Sequence, residues 1–330
     1  MIVDCHVHIA ADSPGHGSVS RRLRHSIAFR FMRRRLHLPR EDGLVLERAL
    51  EDRLAQTVRQ AEGLDAAVVL AFDAVYGPGG NRDEARTHFF VSNDYVAEVA
   101  GRHPHLLFGA SVHPYRRDAV AELERCVRLG AVLLKWLPVV QDFDPADARC
   151  YPLYEALADH RLPLLCHTGG ELTLPNLNRR VADPRLLEPA LRRGVTVIAA
   201  HCATRATLWD TDYLPEFVRL AREHERLFGD TAALNLPTRS YAYRTLLRDP
   251  EVRRKLVHGS DWPILSVPPV RIGWGKALAL FWGEPNWMRR DVLAKRELGL
   301  GDDYWHRAAG LLRLPGGAGP QGTPGARREG

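Results

Sequence analysis

The chain opens on Ile2-Val3-Asp4-Cys5-His6-Val7-His8-Ile9, the first of eight short runs that predict buried β-strands. The other seven runs are rich in Val, Ile and Leu and cover residues 66–72, 106–112, 131–137, 162–167, 195–201, 227–234 and 255–259. Helical patterns lie between them, for example over residues 117–129 and 151–160. Strands that alternate with helices are typical of βα units around a buried parallel sheet.

The number of these units indicates the architecture. Eight βα units close a (β/α)8 TIM barrel, and 330 residues is a common length for such a domain. A doubly wound open sheet is the alternative, because strand order cannot be read from one sequence. We therefore predict an α/β fold, a (β/α)8 TIM barrel, as a single domain over residues 1–314.

Two segments depart from this alternation. Residues 11–44 form an insertion after the first strand, in which apolar residues interleave with arginines as on an amphipathic helix; these are Arg21, Arg22, Arg24, Arg30, Arg33, Arg34, Arg35 and Arg40. A barrel would place this insertion on its catalytic face. Residues 315–330 are dominated by Gly, Pro and small polar residues, so we expect a disordered tail there.

The arginines of the insertion account for more than the whole formal net charge of +6. They fit a solvated helix face or a subunit interface, and they also fit a lid that holds an anionic substrate. Nucleic-acid binding is disfavoured, because the segment lacks interleaved stacking aromatics and a defined binding fold.

Composition also bears on where the protein resides. No apolar run approaches the roughly 18 to 20 residues that cross a bilayer, and the first residues lack the basic and apolar regions of a secretory signal. The five cysteines are an odd number at irregular spacing, and Cys166 and Cys202 lie in apolar runs where a thiol packs as a small hydrophobe. We expect a cytoplasmic protein that does not contact membranes.

Four histidines and one aspartate stand on predicted strands or at their ends. His6 and His8 are two residues apart on the first strand, so their side chains point to the same side. His167 ends the fifth strand, His201 ends the sixth, and Asp261 follows the eighth. The carboxyl ends of barrel strands gather on one face, where these nitrogen and oxygen ligands would suit zinc, manganese or iron.

The order of these motifs resembles that of a known family. The motifs are His6-Val7-His8, Lys135-Trp136-Leu137-Pro138, Cys166-His167-Thr168-Gly169, Ala200-His201-Cys202 and Gly259-Ser260-Asp261-Trp262-Pro263. Over about residues 1–265 they are similar to the ordered motifs of amidohydrolase-related proteins. That family, within the amidohydrolase superfamily, includes aminocarboxymuconate-semialdehyde decarboxylase, resorcylate decarboxylase and predicted TIM-barrel metal-dependent hydrolases.

The resemblance implies a role for each residue of the set. His6, His8, His167 and Asp261 would bind a divalent metal, for which zinc is the first expectation and manganese or iron the alternatives. His201 takes the place of the family's catalytic histidine, and Asp261 would also accept a proton from the metal-bound water. One ion per chain is expected, or two if Lys135 is carboxylated.

Lys135 ends the fourth predicted strand and has three interpretations. As a cation it would bind a substrate carboxylate, and as a neutral amine it could be carboxylated and bridge two metals, with His167 and His201 on the second ion. A structural salt bridge is the third. Trp136 and Trp262 would wall an apolar or aromatic substrate pocket, with packing in the core as the alternative for both.

We predict a hydrolase that uses metal-activated water to cleave an amide, ester or lactone bond in a small molecule carrying a carboxylate. The first alternative is a metal-dependent, non-oxidative decarboxylase of an aromatic or unsaturated acid, in which His201 protonates the carbon that loses carbon dioxide. A non-catalytic barrel that serves as a binding scaffold is the second. The resemblance also implies a homo-oligomer, for which Trp282 and Trp287 offer apolar surface unless they cap the barrel. His113, after the third strand, is a further candidate substrate contact.

Overall fold

The computed structural model describes residues 1–314, which contain ten strands. In chain order these are β1 Val3–His8, β2 Gly17–Val19, β3 Ala66–Leu70, β4 Phe89–Val91, β5 Leu106–Ala110, β6 Leu133–Trp136, β7 Leu164–His167, β8 Val197–Ala200, β9 Leu227–Asp230 and β10 Leu256–Val257. Eight of them, all except β2 and β4, form one sheet whose spatial order is the chain order. Every pairing in that sheet is parallel.

The first and last strands of this sheet meet, so the sheet closes. On one side of the junction, Cys5 N donates to His258 O at 3.1 Å. On the other, Asp261 N donates to His6 O at 2.9 Å and His8 N donates to Trp262 O at 2.8 Å. The predicted TIM barrel is confirmed, and the open-sheet alternative is wrong because its two edge strands would lie apart.

Fourteen helices surround or extend the barrel in the described residues. They are α1 Arg21–Arg24, α2 Ile27–Arg35, α3 Leu44–Arg59, α4 Asn93–Arg102, α5 Ala119–Arg128, α6 Pro138–Gln141, α7 Tyr151–Asp159, α8 Glu188–Arg192, α9 Leu214–Glu223, α10 Tyr243–Leu246, α11 Pro250–Arg253, α12 Trp274–Gly283, α13 Trp287–Glu297 and α14 Asp302–Leu311. The helix α4 illustrates how the local sequence forms and orients these helices. The Ser92 hydroxyl accepts from Tyr95 N where α4 begins, and Tyr95, Val96 and Val99 form its buried face.

The core has two layers. Between strands and helices lies the larger apolar layer, while a smaller cluster that includes Leu70, Leu133 and Ile198 fills the barrel itself. Ala308 and Leu312, from the region of α14, join this inner cluster. Next to Leu312, Arg313 N donates to Val132 O, just before β6 begins, so α14 covers the amino-terminal end of the barrel. The opposite end, where the strands finish, is the end at which TIM barrels carry their active sites.

The insertion after β1 differs in part from its prediction. Seven of its eight arginines, all except Arg40, lie on the short helices α1 and α2, and the Ser26 hydroxyl accepts from Phe29 N where α2 begins. The insertion also contains β2, which pairs antiparallel with β4. Neither strand was predicted, because three residues are too few to show a periodic pattern.

Two further expectations concern the ends and the exterior of the chain. The expected disordered tail, residues 315–330, lies outside the described residues. Within residues 1–314, no helix combines the length and apolarity that a membrane span requires. Of the two tryptophans considered for an interface, Trp282 is 79% exposed and Trp287 is 7% exposed, so only Trp282 offers apolar surface.

Candidate metal centre and active site

Three ligand atoms converge at the carboxyl end of the barrel. His6 Nε2 lies 3.1 Å from His8 Nε2 and 3.4 Å from Asp261 Oδ1, and His8 Nε2 lies 3.2 Å from Asp261 Oδ1. Tetrahedral ligands held about 2.0 to 2.1 Å from a divalent ion are separated from one another by about 3.3 Å. Two imidazoles and one carboxylate at this spacing therefore fit a divalent metal such as zinc.

His167, the remaining ligand implied by the family resemblance, stands outside this compact group. Its side chain is buried, and its Nε2 has no hydrogen-bond partner among the described residues. The carboxylate of Glu171 is 3.8 Å from that nitrogen, and the His201 ring centroid is 4.9 Å from the His167 ring centroid. A buried imidazole nitrogen without a protein partner is suited to a metal or a substrate, because leaving it unpaired is costly.

Asp230 is a site residue that sequence reasoning missed. His6 Nδ1 donates to its Oδ2 at 2.7 Å, and the backbone N–H groups of His201 and Ala232 donate to its Oδ1 at 2.7 and 3.1 Å. These bonds fix the His6 ring so that Nε2 faces His8 and Asp261. The sequence predicts a strand over residues 227–234, which puts Asp230 inside it, whereas in the structure β9 ends at Asp230, on the catalytic face.

His201 is held in an unusual backbone conformation. It begins a run of three left-handed residues, with φ of 58° at His201, 49° at Cys202 and 56° at Ala203. Such strain persists only where neighbours enforce it, here the Asp230 carboxylate on His201 N and the Thr204 hydroxyl on His201 O. Because His201 Nδ1 donates to Ala232 O at 2.9 Å, its Nε2 is the unprotonated nitrogen and is free for a proton.

Burial and charge set the protonation of the group. Burial lowers the pKa of His201 well below its ordinary value, and Arg239 lowers it further, so the imidazole is neutral. For Asp261 burial would raise the pKa, but the facing His6 and His8 more than offset this and the carboxyl pKa lies below its ordinary value. The site thus joins an ionised carboxylate to buried His6 and His201 imidazoles whose pKa values lie well below the ordinary one, and these are states that bind a cation.

Lys135 lies beneath His6, His8 and Asp261, which together form the metal-sized group. Its Nζ is 2.9 Å from His6 Nε2, and burial lowers its pKa. Among the described residues no carboxylate oxygen forms a salt bridge with this amine, so the structural salt bridge considered for it is not formed. The interpretations that remain are contact with a substrate carboxylate and carboxylation of a neutral amine.

The structure places Trp136 and Trp262 in the core. Adjacent residues on a strand point to opposite sides, so Trp136 faces away from Lys135 and into the outer layer. Its indole Nε1 donates to Val112 O at 2.7 Å, and its ring packs against Phe143. Trp262 is 1% exposed and packs in the same outer core. Neither residue is among those that line the cavity, which favours the alternative given for both, packing in the core.

His113 is also satisfied by protein partners. Its Nε2 donates to Gln141 O at 2.9 Å and its Nδ1 accepts from Tyr115 N at 3.1 Å. Since both ring nitrogens are used and the residue does not line the cavity, the structure supports the alternative explanation, a turn before a proline.

A cavity opens above the metal-sized group, with a polar floor and apolar walls. Histidines and carboxylates form the floor: His8, His167, His201, Asp261 and Glu171. The walls come from the insertion, from α3 and from the loops after the strands, and they include Leu23, Phe29, Met32, Leu36, Leu46, Leu50, Phe72, Phe89, Leu137, Leu174 and Ile264. The insertion therefore contributes an apolar wall to the cavity.

Arg33 is the one arginine or lysine that lines this cavity in the described residues. Its guanidinium is already occupied: NH1 donates to the Asp42 carboxylate at 2.8 Å, NH2 donates to Glu41 O at 2.8 Å, and Nε donates to Pro39 O. Arg24 likewise donates to the Asp12 carboxylate. Arg24 and Arg33 thus support the insertion's own fold and are not free to grip an anionic substrate.

Comparisons with solved structures agree with this geometry at the level of the fold. The chain is similar to an uncharacterised TIM-barrel protein from Bordetella bronchiseptica, with 19% identity, a TM-score of 0.61 and coverage of 93% of this chain and 96% of that one. It is similar to a candidate 2-pyrone-4,6-dicarboxylic acid hydrolase from Pseudomonas putida, with 17% identity, a TM-score of 0.53 and coverage of 92% and 93%. It is also similar to 5-carboxyvanillate decarboxylase from Sphingomonas paucimobilis, with 14% identity, a TM-score of 0.53 and coverage of 95% and 99%.

Sequence comparisons identify the family. No protein with curated information matches the chain. The family model described as amidohydrolase matches residues 3–290, which include the metal-sized group, His201 and the whole barrel sheet. The chain therefore belongs to the amidohydrolase family.

Proposed function

We propose that this protein is a zinc-dependent hydrolase that cleaves an amide, ester or lactone bond in a small molecule bearing a carboxylate. The observation that carries the proposal is the convergence of His6, His8 and Asp261, with ligand atoms 3.1 to 3.4 Å apart, at the base of an apolar cavity that His8, Asp261 and His201 line. A bound divalent ion would lower the pKa of water from about 15.7 toward about 7 and polarise the carbonyl under attack.

We assign proton transfer, metal binding and the exclusion of water to different residues of the chain. His201 Nε2 is unprotonated and faces the cavity, so it accepts a proton during the attack of water and returns it to the leaving group. His6, His8, Asp261 and His167 would hold the metal, and Asp230 orients His6. The apolar walls exclude bulk water, which strengthens every charged interaction on the floor.

Lys135 completes the proposed site. Its buried amine lies beneath the floor residues, 2.9 Å from His6 Nε2, and no carboxylate pairs with it among the described residues. We assign it to the substrate carboxylate, with one metal ion per chain. Carboxylation of Lys135 is the alternative and would bring a second ion.

A metal-dependent decarboxylase is the second candidate. The observation that favours it is the apolar wall, because removing a carboxylate from water promotes loss of carbon dioxide. In that reaction the bond between the carboxyl carbon and its neighbour breaks, and His201 in its protonated form would deliver the proton that replaces the carboxyl group.

One experiment separates the two reactions. The protein is purified without chelators and incubated in ¹⁸O-labelled water with a panel of lactones, esters, amides and aromatic acids, each bearing one carboxylate. Hydrolysis places the label in the product, and decarboxylation releases carbon dioxide. The proposal predicts ¹⁸O incorporation that is lost in His201→Ala; carbon dioxide release without label would replace it with the second candidate.

We also propose a cytoplasmic location, which rests on the state of the cysteines. All five cysteines are free and buried, which supports a location in the reducing cytoplasm. Assembly into a homo-oligomer stays a prediction, which light scattering of the purified protein would test.

A further inference from the structure

The cavity described above contains one carboxylate whose role is open, that of Glu171. This residue follows β7 and its side chain is 11% exposed. One oxygen, Oε1, accepts from the backbone N–H groups of Thr173 at 2.6 Å and Leu174 at 2.9 Å. These two bonds hold the carboxylate in place on the cavity floor.

The other oxygen of Glu171 is left for a ligand. Its Oε2 lies 3.8 Å from His167 Nε2, beyond hydrogen-bond distance, and no cation forms a salt bridge with it among the described residues outside that histidine. A buried carboxylate oxygen that faces a cavity is stabilised by a hydrogen-bond donor and destabilised by a second anion.

The surrounding charges limit how many carboxylates a ligand in this cavity can carry. Arg33 is the cation in the cavity wall, and its own loop occupies it. Arg239 is near, but it lies behind the wall, where it donates to Thr204 O at 2.8 Å and to Gly170 O at 2.6 Å. Lys135, buried beneath the floor, is the residue that we assign to one carboxylate. A second carboxylate on the same molecule would therefore meet apolar side chains or Glu171.

From these contacts we propose that Glu171 determines specificity, and that it selects compounds with a single carboxylate, an apolar or aromatic body and a hydroxyl or amino group that donates to Oε2. This inference rests on the proposed function, because it takes Lys135 and the metal-sized group as the anchor for the substrate carboxylate. Dicarboxylates are disfavoured by repulsion from Glu171 and because the described residues that line this cavity offer no Arg or Lys besides the occupied Arg33.

The test measures binding by calorimetry on the metal-loaded protein, so it does not depend on turnover. The probes are benzoate, the 3- and 4-hydroxybenzoates, and the matched dicarboxylates isophthalate and terephthalate. We expect one hydroxybenzoate to bind about tenfold tighter than benzoate, since a hydrogen bond to a charged group contributes about 1.5 kcal/mol or more. Both dicarboxylates should bind more weakly than benzoate.

Two variants test whether Glu171 causes the discrimination against dicarboxylates. In Glu171→Gln we expect the discrimination against dicarboxylates to shrink about tenfold while benzoate binding changes less than about twofold. Glu122→Gln makes the same chemical change on α5, outside the cavity, and should leave the order of affinities unaltered. Elemental analysis of Glu171→Gln checks that it holds as much metal as the unmodified protein.

The outcomes separate this inference from the function on which it rests. If dicarboxylates bind to the unmodified protein as tightly as hydroxybenzoates, or if Glu171→Gln preserves the whole order, the assignment of Glu171 is overturned while the site itself stands. If no probe binds, or if benzoate binds equally well to His6→Ala, the carboxylate anchor fails and both proposals fall. The order of probe affinities in the unmodified protein tests the role of Glu171 even if Glu171→Gln does not fold.

Discussion

Replacing Asp230 by Asn should weaken metal binding although Asp230 is not a proposed ligand. In the structure its carboxylate accepts three hydrogen bonds, from His6 Nδ1 and from the backbone N–H groups of His201 and Ala232. An amide can accept only through its oxygen. If that oxygen stays with the backbone, the NH2 group faces the Nδ1–H of His6, and two donors oppose each other.

The His6 ring avoids these opposed donors if it adopts its other tautomer, with the proton on Nε2 instead of Nδ1. That nitrogen is the one that lies 3.1 Å from His8 Nε2 and 3.4 Å from Asp261 Oδ1, and a protonated nitrogen cannot bind a metal. Loss of a carboxylate that orients a ligand histidine typically costs about 10- to 100-fold in metal affinity, or about 1.4 to 2.7 kcal/mol. We expect a loss within that range.

The assay is competition for zinc between the protein and a chromogenic chelator, at neutral pH and fixed ionic strength. Asp73→Asn is the matched control, because Asp73 is also a buried carboxylate that accepts backbone hydrogen bonds, yet it does not line the cavity. An unchanged zinc affinity in Asp230→Asn would refute the reasoning, and so would an equal loss in Asp73→Asn.

Three other predictions follow from the site and its surroundings. His201→Ala should lower kcat by about 100- to 10,000-fold while the metal content of the protein stays unchanged, and loss of the metal would instead make His201 a ligand. Trp136→Ala should lower the free energy of unfolding by about 3 to 5 kcal/mol in urea titrations, with benzoate affinity preserved; a selective loss of benzoate binding would return Trp136 to the pocket. Burial lowers the pKa of His113 from 6.5 to about 4, so the unfolded chain takes up this proton first as the pH falls. Stability should therefore decline between about pH 6.5 and 4, and His113→Gln should flatten that decline in denaturation curves measured across the range.

The sequence contained most of the information about the barrel and part of that about the site. Period-two geometry on a strand places His6 and His8 on one side, and parallel strands bring Asp261 to the same face, so the sequence alone predicts that these three meet. The same geometry, applied to Lys135 and Trp136, shows that both cannot face one cavity. Adjacency to Lys135 in sequence therefore does not place Trp136 at the site, and in the structure its side chain packs in the outer core.

Other features depend on tertiary contacts that no local pattern reports. The left-handed backbone at His201 is enforced by Asp230, which is 29 residues away in sequence. The arginines of the insertion look like a lid for anions, but Arg33 is occupied by Asp42 and by backbone carbonyls that only the fold brings near. Glu171 showed no periodic signal, because it lies in a loop whose path is set by packing.

The central claim is that this barrel holds a divalent metal through His6, His8, His167 and Asp261. Elemental analysis of protein purified without chelators tests it most directly, with His6→Ala and Asp261→Ala prepared in parallel. We predict about one ion per chain in the unmodified protein and almost none in either variant. Two ions would point to a carboxylated Lys135. No metal in the unmodified protein, even after supplementation with zinc, manganese or iron, would contradict the claim.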